Sequence, residues 1–208
     1  MKPQSTEEKI LAAATKEFMQ KGFDSARTTA IAKEAGVTHA MLHYYFRSKE
    51  NLFEKIIDAK MSSIGELMLQ SISQSNLPLF ERIRTAINRH LDFVSENPEL
   101  PHFFIREVYS HPERIRKIGE ALQVNATVLI AELQKDIDDA AERGECRRVN
   151  AEMLLLDIVS LNIFSFLAKP VLEVVLNDLL SDNKRFIEQR KIENFETIKR
   201  KLMICHEL

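Results

Sequence analysis

Four ring-bearing residues stand in a row in "EAGVTHAMLHYYF": His43, Tyr44, Tyr45 and Phe46. No single core can receive all four, so the segment must fold with one side in and the other out. At about 100° per residue, a helix over 38–46 puts Leu42 and Phe46 on one side. Val37 leads into that side and Tyr45 lies at its flank. Ala40, Met41 and Tyr44 point the opposite way, with His43 at the edge. The stretch ahead, carrying Ile31, Ala32 and Ala35, reads as a second short helix stopped by Gly36. Gly36 suits the left-handed backbone that ends a helix. Small Ala32 lets the two helices approach, and Ile31, Ala35, Val37 and Leu42 supply a miniature core. Two helices joined by a Gly-containing turn, the second presented outward, make a helix-turn-helix.

Helical spacing continues on both sides of this unit. Ser5 and Glu8 have capping-box spacing ahead of Ile10, Leu11, Ala14, Phe18 and Met19, a first helix expected to run to Gly22. Thr28 or Thr29 is expected to cap the second helix, Thr38 the third and Ser48 a long fourth. That fourth helix carries Leu52, Ile56, Ile57, Met61, Ile64, Met68 and Ile72 along one side. After "QSISQSNLP", further helices are expected over 79–96, 98–109, 112–143, 150–168, 170–180 and 183–203. Only five Gly and six Pro punctuate 208 residues, and no run alternates like a strand. The expected fold is all-α: a three-helix helix-turn-helix domain over 1–50, joined by the fourth helix to a helical body over 51–208.

A net charge of −2 and a pI near 6.3 exclude a polybasic nucleic-acid binder, so any such contact is local. Residues 1–60 hold ten Lys and Arg against eight Asp and Glu; the remainder holds nineteen against twenty-three. The sign is right for a DNA-facing N-terminus. A helix presented as 38–46 is would enter the major groove with its N-terminal residues nearest the bases. Thr38, His39, Ala40, Met41, His43 and Tyr44 are the candidates there. Arg27, Lys33, Arg47 and Lys49, with the helix N-termini at Thr28, Thr38 and Ser48, suit phosphate contact.

"TTAIAKEAGVTHAMLHYYFRSKENLF" resembles the DNA-binding domain of the TetR (tetracycline-repressor) family, with a close match over roughly residues 5–55. The resemblance implies a homodimeric, ligand-responsive transcription regulator, usually a repressor, in the bacterial cytoplasm and on the nucleoid. It implies that Thr38 and His39 open the recognition helix. Tyr44 would fill a frequent aromatic contact position, and Lys49 would be the basic residue opening the fourth helix. The chain departs from the family at Ala40, where Gly is common, at Met41, where Ser, Thr or Ala is common, and at His43, where Tyr is common. The alternatives are an activator or a co-regulator-controlled DNA binder and, from another class, a helical metal-carboxylate enzyme.

The enzyme reading is poorly supported by the residues. His39 and His43 are four apart on a helix, a metal-capable spacing without a third ligand nearby. Glu99 and His102 have di-iron spacing without a second copy. Neither cofactor nor metal is expected. Candidates for small-molecule contact in the body are Met61, Phe103, Phe104, Glu107, Asn125, Asn162 and Phe166. Glu107 lies among Phe103 and Phe104 and needs a partner, for which Arg82 or Arg106 is expected. Asn162, in "LNIFSF", suits a helix-to-helix hydrogen bond or a ligand contact. The apolar run from Leu154 to Phe166, with Ile192, Phe195, Ile198 and Leu202, is the candidate two-fold four-helix interface. Cys146 and Cys205 suggest a reducing compartment, and no membrane span is expected.

Overall fold

A computed structural model describes residues 5–74, 76–110, 112–176 and 180–204, and all regular structure among them is helical. The helices are α1 (Thr6–Ser25), α2 (Thr28–Glu34), α3 (His39–Phe46), α4 (Lys49–Ile72), α5 (Leu79–Glu96), α6 (Glu99–Ser110), α7 (Pro112–Glu142), α8 (Ala151–Leu167), α9 (Lys169–Val175) and α10 (Asn183–Leu202). The chain packs as two units. One is Met1–Ser63 with His102–Ala121; the other is Ile64–Pro101 with Leu122–Leu208. These packing units are a different division from the functional one expected at residue 50. α4 runs unbroken through Ser63, so it contributes to both.

In the first unit the expected capping box is present: Glu8 N–H donates to Ser5 Oγ at 3.2 Å, and Ser5 N–H to Glu8 Oε2 at 2.7 Å. The helical path of α1 breaks at Gly22, whose φ of 76° and ψ of 170° belong to glycine. This bend turns Phe23 back into a ring cluster. Phe18 and Phe23 each meet Phe53 edge-on at 5.2 and 5.0 Å, and Phe103 follows Phe53 at 5.8 Å. The carbonyls exposed by the bend are satisfied by α6. Arg106 Nη2 donates to the carbonyls of Met19 at 3.1 Å and Phe18 at 3.4 Å. Beside it, Glu107 accepts the Phe23 N–H at 3.3 Å. Phe103, Arg106 and Glu107 of α6 thus help to complete the core of the N-terminal unit, a pairing that local periodicity does not reveal.

In the second unit, α5 and α10 pack on α8. Ile83, Ile87, Leu133, Ile137, Leu154, Phe195, Ile198 and Leu202 form the main core, and Leu91, Val94, Phe166, Phe186 and Ile187 a smaller one. Three residues of the expected two-fold stripe, Phe195, Ile198 and Leu202, are therefore intrachain core. The face of α8 left outside carries Met153, Leu156 and Phe164, exposed with Ile192 of α10. Phe164, within the apolar run offered as the two-fold interface, is 65% exposed. Arg82 gives Nη1 to Asp136 at 2.7 Å and to the Ile72 carbonyl at 2.8 Å, which fixes its role inside this unit. Tyr109's side chain and Cys205 lie outside the described residues. Among those described, no single helix is long and apolar enough to cross a membrane; α8 and α9 pass together by length and composition, bent by 68°.

Candidate nucleic-acid interface

The α2–α3 turn closes as the sequence predicts. Gly36 takes φ of +67°. Val37 N–H then donates to the Ala32 carbonyl at 2.9 Å, which seals the end of α2. Thr38 begins α3, its hydroxyl accepting the Met41 N–H at 3.1 Å. Leu42 and Phe46 are buried at 3% and 5%, as are Ile31 and Ala32 of α2, which packs against α3. The other side of α3 is bare: Tyr44 is 70% exposed and Met41 40%, and His39, Ala40 and His43 are exposed as well. Tyr45 is exposed at the flank, edge-on to Tyr44 at 5.7 Å. Of the four rings in succession, Phe46 alone is held by the interior.

α3 ends on a tight turn. Arg47 has φ of 63° and ψ of −47°, and Ser48 N–H donates to the Phe46 carbonyl at 2.6 Å. This is a γ-turn of the strained, positive-φ sense. It leaves the Arg47 guanidinium 5.9 Å from the Tyr44 ring and lets Ser48 cap α4 by accepting the Asn51 N–H at 3.1 Å. Strain of this kind persists where surrounding structure over-determines it, and functional surfaces are a common place.

One expected cap is not formed, and two flanking side chains have partners within the chain. Neither Thr28 nor Thr29 caps α2: Arg27 is the N-cap residue and supplies no side-chain bond. The Thr28 hydroxyl is instead hydrogen-bonded to His39 Nε2 at 3.0 Å, tying the start of α2 to the start of α3. Lys49 sits over the Phe23 ring at 4.6 Å and donates to the Asp24 carbonyl at 3.2 Å, so it braces the end of α1. Arg27 keeps an exposed side chain, its N–H held by Glu17 at 3.2 Å. The sequence shows no sign of the Thr28–His39 and Lys49–Asp24 contacts, because each depends on the angle at which short helices cross.

The small-molecule candidates are divided between units. Met61, Phe103 and Glu107 are buried in the first, with Phe104 half-buried beside Phe103. Asn125, Asn162 and Phe166 belong to the second. Asn125 packs against Gly65 so closely that a Cβ there would lie 2.7 Å from its Nδ2. Asn162 has the helix-to-helix role: its amide donates to the Ile87 carbonyl at 3.0 Å and accepts from Asn194 at 2.7 Å. A groove of about 260 Å³ on this unit is lined by other residues, among them Arg84, Asn88, Lys191 and Phe195.

Residues 10–56 match the family model for bacterial regulatory proteins of the tetR family. The HTH-type transcriptional regulator AcrR of Shigella flexneri is 40% identical over 67 residues, 32% of this chain and 31% of that protein. The fatty acid metabolism regulator protein of Bacillus subtilis is 25% identical over 170 residues, 81% of this chain and 83% of its own length. Two of the curated relatives are matched over only 31% and 49% of their length. Among solved structures, the Bacillus subtilis regulator FadR, in complex with stearoyl-CoA, has a TM-score of 0.65 at 17% identity. That likeness of fold covers 93% of this chain and 97% of that one.

Proposed function

We propose that this chain, which belongs to the TetR family of transcriptional regulators, acts as a homodimeric repressor that leaves a palindromic operator when a small molecule binds. The observation that carries the reading is the exposed face of α3, where Tyr44 and Met41 are turned to solvent while Leu42 and Phe46 hold the helix from behind. Thr38, His39, Ala40, Met41, His43 and Tyr44 face the groove in this reading, and Arg27, Thr28 and Lys49 flank it towards the phosphates. The protein acts in the cytoplasm, on the nucleoid. Binding of full-length protein to an inverted repeat taken from its own gene neighbourhood tests the reading, measured by fluorescence anisotropy at stated salt. Tyr44→Ala is expected to weaken that binding by about tenfold or more, the scale of one lost recognition contact. Unchanged affinity in the variant, with the dimer intact, would count against this placement of the reading helix.

The dimer is proposed to form over Met153, Leu156 and Phe164 of α8 with Ile192 of α10, an apolar face outside the core of the second unit. Phe164→Lys should convert the dimer to monomer in sedimentation velocity; a persistent dimer would move the interface elsewhere. Repression and release remain the proposed mode. α4 begins at Lys49, beside the DNA-facing turn, and runs unbroken to Ile72, so it is the natural lever. An effector that binds better to the state unable to bridge both half-sites shifts the population off DNA. Because FadR is solved with stearoyl-CoA, a long-chain acyl thioester is the first effector class to test. Its contacts are proposed among Met61, Phe103, Phe104 and Glu107 in the first unit, with Asn125, Asn162 and Phe166 as candidates in the second.

A further inference from the structure

The reading face of α3 has an unusual chemistry. Residues 38–46 contain no Arg, Lys, Asn or Gln, the side chains that make the common bidentate bonds to guanine and adenine. Three groups that could replace them are partly engaged within the protein. Thr38 Oγ accepts the Met41 N–H. His39 Nε2 is bonded to Thr28 Oγ1, which draws that ring back towards α2. The Tyr44 ring is set edge-on to Tyr45, with the Arg47 guanidinium 5.9 Å from its centre. Ala40 and Met41, in the first turn, are left exposed. The first turn is the part of a recognition helix that comes nearest the base edges. The surfaces of these two side chains are a methyl group and a thioether chain, neither of which donates a hydrogen bond.

An apolar group in the major groove has one base feature to recognise, the C5 methyl of thymine. We infer that Ala40 and Met41 are the specificity-determining pair, and that they read thymine methyl groups in each half-site. The inference rests on α3 being the helix that enters the groove. It adds the means of discrimination: the operator is selected mainly by apolar contact to thymine, with His43 left as the hydrogen-bonding reader one turn further on.

The test uses full-length protein and a random duplex library, so the operator need not be identified first. Duplexes selected from that library at fixed salt should share half-sites containing thymine at fixed positions. Each such thymine is then replaced by deoxyuridine, which keeps every hydrogen-bonding group and removes only the methyl. Affinity is expected to fall about fourfold per critical methyl, the transfer free energy of one methylene-sized group. Met41→Ala should make one of those positions indifferent to the replacement while the protein still binds duplex. Retained binding with thymine and deoxyuridine equivalent at every position overturns the inference and leaves the DNA-binding reading standing. Failure to select any duplex overturns both. A methyl effect that survives unchanged in both Met41→Ala and Ala40→Gly assigns the reading to other residues and also overturns it.

Discussion

Gly22→Ala is expected to destabilise the N-terminal unit by roughly 3 kcal/mol, lowering its unfolding midpoint by roughly 15 °C. Two effects combine. At φ of 76° and ψ of 170° the residue occupies a region that side-chain-bearing residues rarely adopt, and holding alanine there costs on the order of 1–3 kcal/mol. The added Cβ would also lie 2.8 Å from Arg106 Nε and 3.1 Å from its Cζ. Arg106 would have to withdraw from the carbonyls of Phe18 and Met19. Each hydrogen bond lost there costs roughly 1 kcal/mol. Gly36→Ala is the control, since its φ of +67° is similarly positive but nothing lies within 4 Å of the added carbon. That variant should lose only the backbone preference, about 1 kcal/mol. Thermal unfolding followed by circular dichroism separates the two; equal losses would show that the Arg106 clamp contributes nothing.

That clamp also marks where the sequence stops being legible. Helix faces follow from spacing alone, so Leu42 and Phe46 can be placed inside and Tyr44 outside from the order of residues. Ser5, Thr38 and Ser48 can be named as caps because capping is a contact over three residues. Arg106 and Glu107 reach backbone groups more than eighty positions away. Spacing indicates that Glu107 is buried, yet cannot say that a backbone N–H at Phe23 is among its partners. The expectation for Arg82 fails for the same reason: Asp136 is brought to it by the packing of α5 and α7. On the candidate interface, the exposed residues are readable as a set. Which of them stay available for a ligand is not, because the Thr28–His39 and Lys49–Asp24 contacts are set by the angles between helices. The proposed two-fold stripe is half legible. Apolarity nearly all round α8 requires cover on more than one side, but only the packing shows that Phe195, Ile198 and Leu202 provide one cover and that Met153, Leu156 and Phe164 still lack another.

The second unit should lose about 3 kcal/mol of stability as pH falls from about 6.5 to about 4, and His90 is the group responsible. His90 lies 5% exposed on α5, and its burial pushes the imidazole down from 6.5 to about 4. The contacts explain why protonation has no outlet. Asn162 Nδ2 donates to the Ile87 carbonyl at 3.0 Å and lies 3.0 Å from His90 Nδ1. Asn162 Oδ1 is meanwhile occupied by the Asn194 amide at 2.7 Å. With the Asn162 amide fixed at both ends, His90 Nδ1 must accept, so the ring is neutral with its proton on Nε2. Turning the Asn162 amide over to meet an imidazolium would set its Nδ2 against the Asn194 amide nitrogen, so Asn194 would have to turn as well, and the Ile87 carbonyl would lose its side-chain donor. Between the two pKa values the unfolded chain therefore binds a proton that the folded chain refuses. Stability is full above about 6.5, falls with pH through that interval, and levels off below about 4. Urea unfolding of the wild type and of His90→Leu at pH 7.0, 5.5 and 4.5 isolates the effect, because carboxylate titrations are common to both proteins and cancel in the difference. The variant is expected to be less stable at pH 7.0 and to close the gap as the solution is acidified. A stability difference between the two that is independent of pH would show that His90 is free to take up a proton in the fold, and the Asn162–Asn194 arrangement would then have to be more yielding than its three short contacts imply.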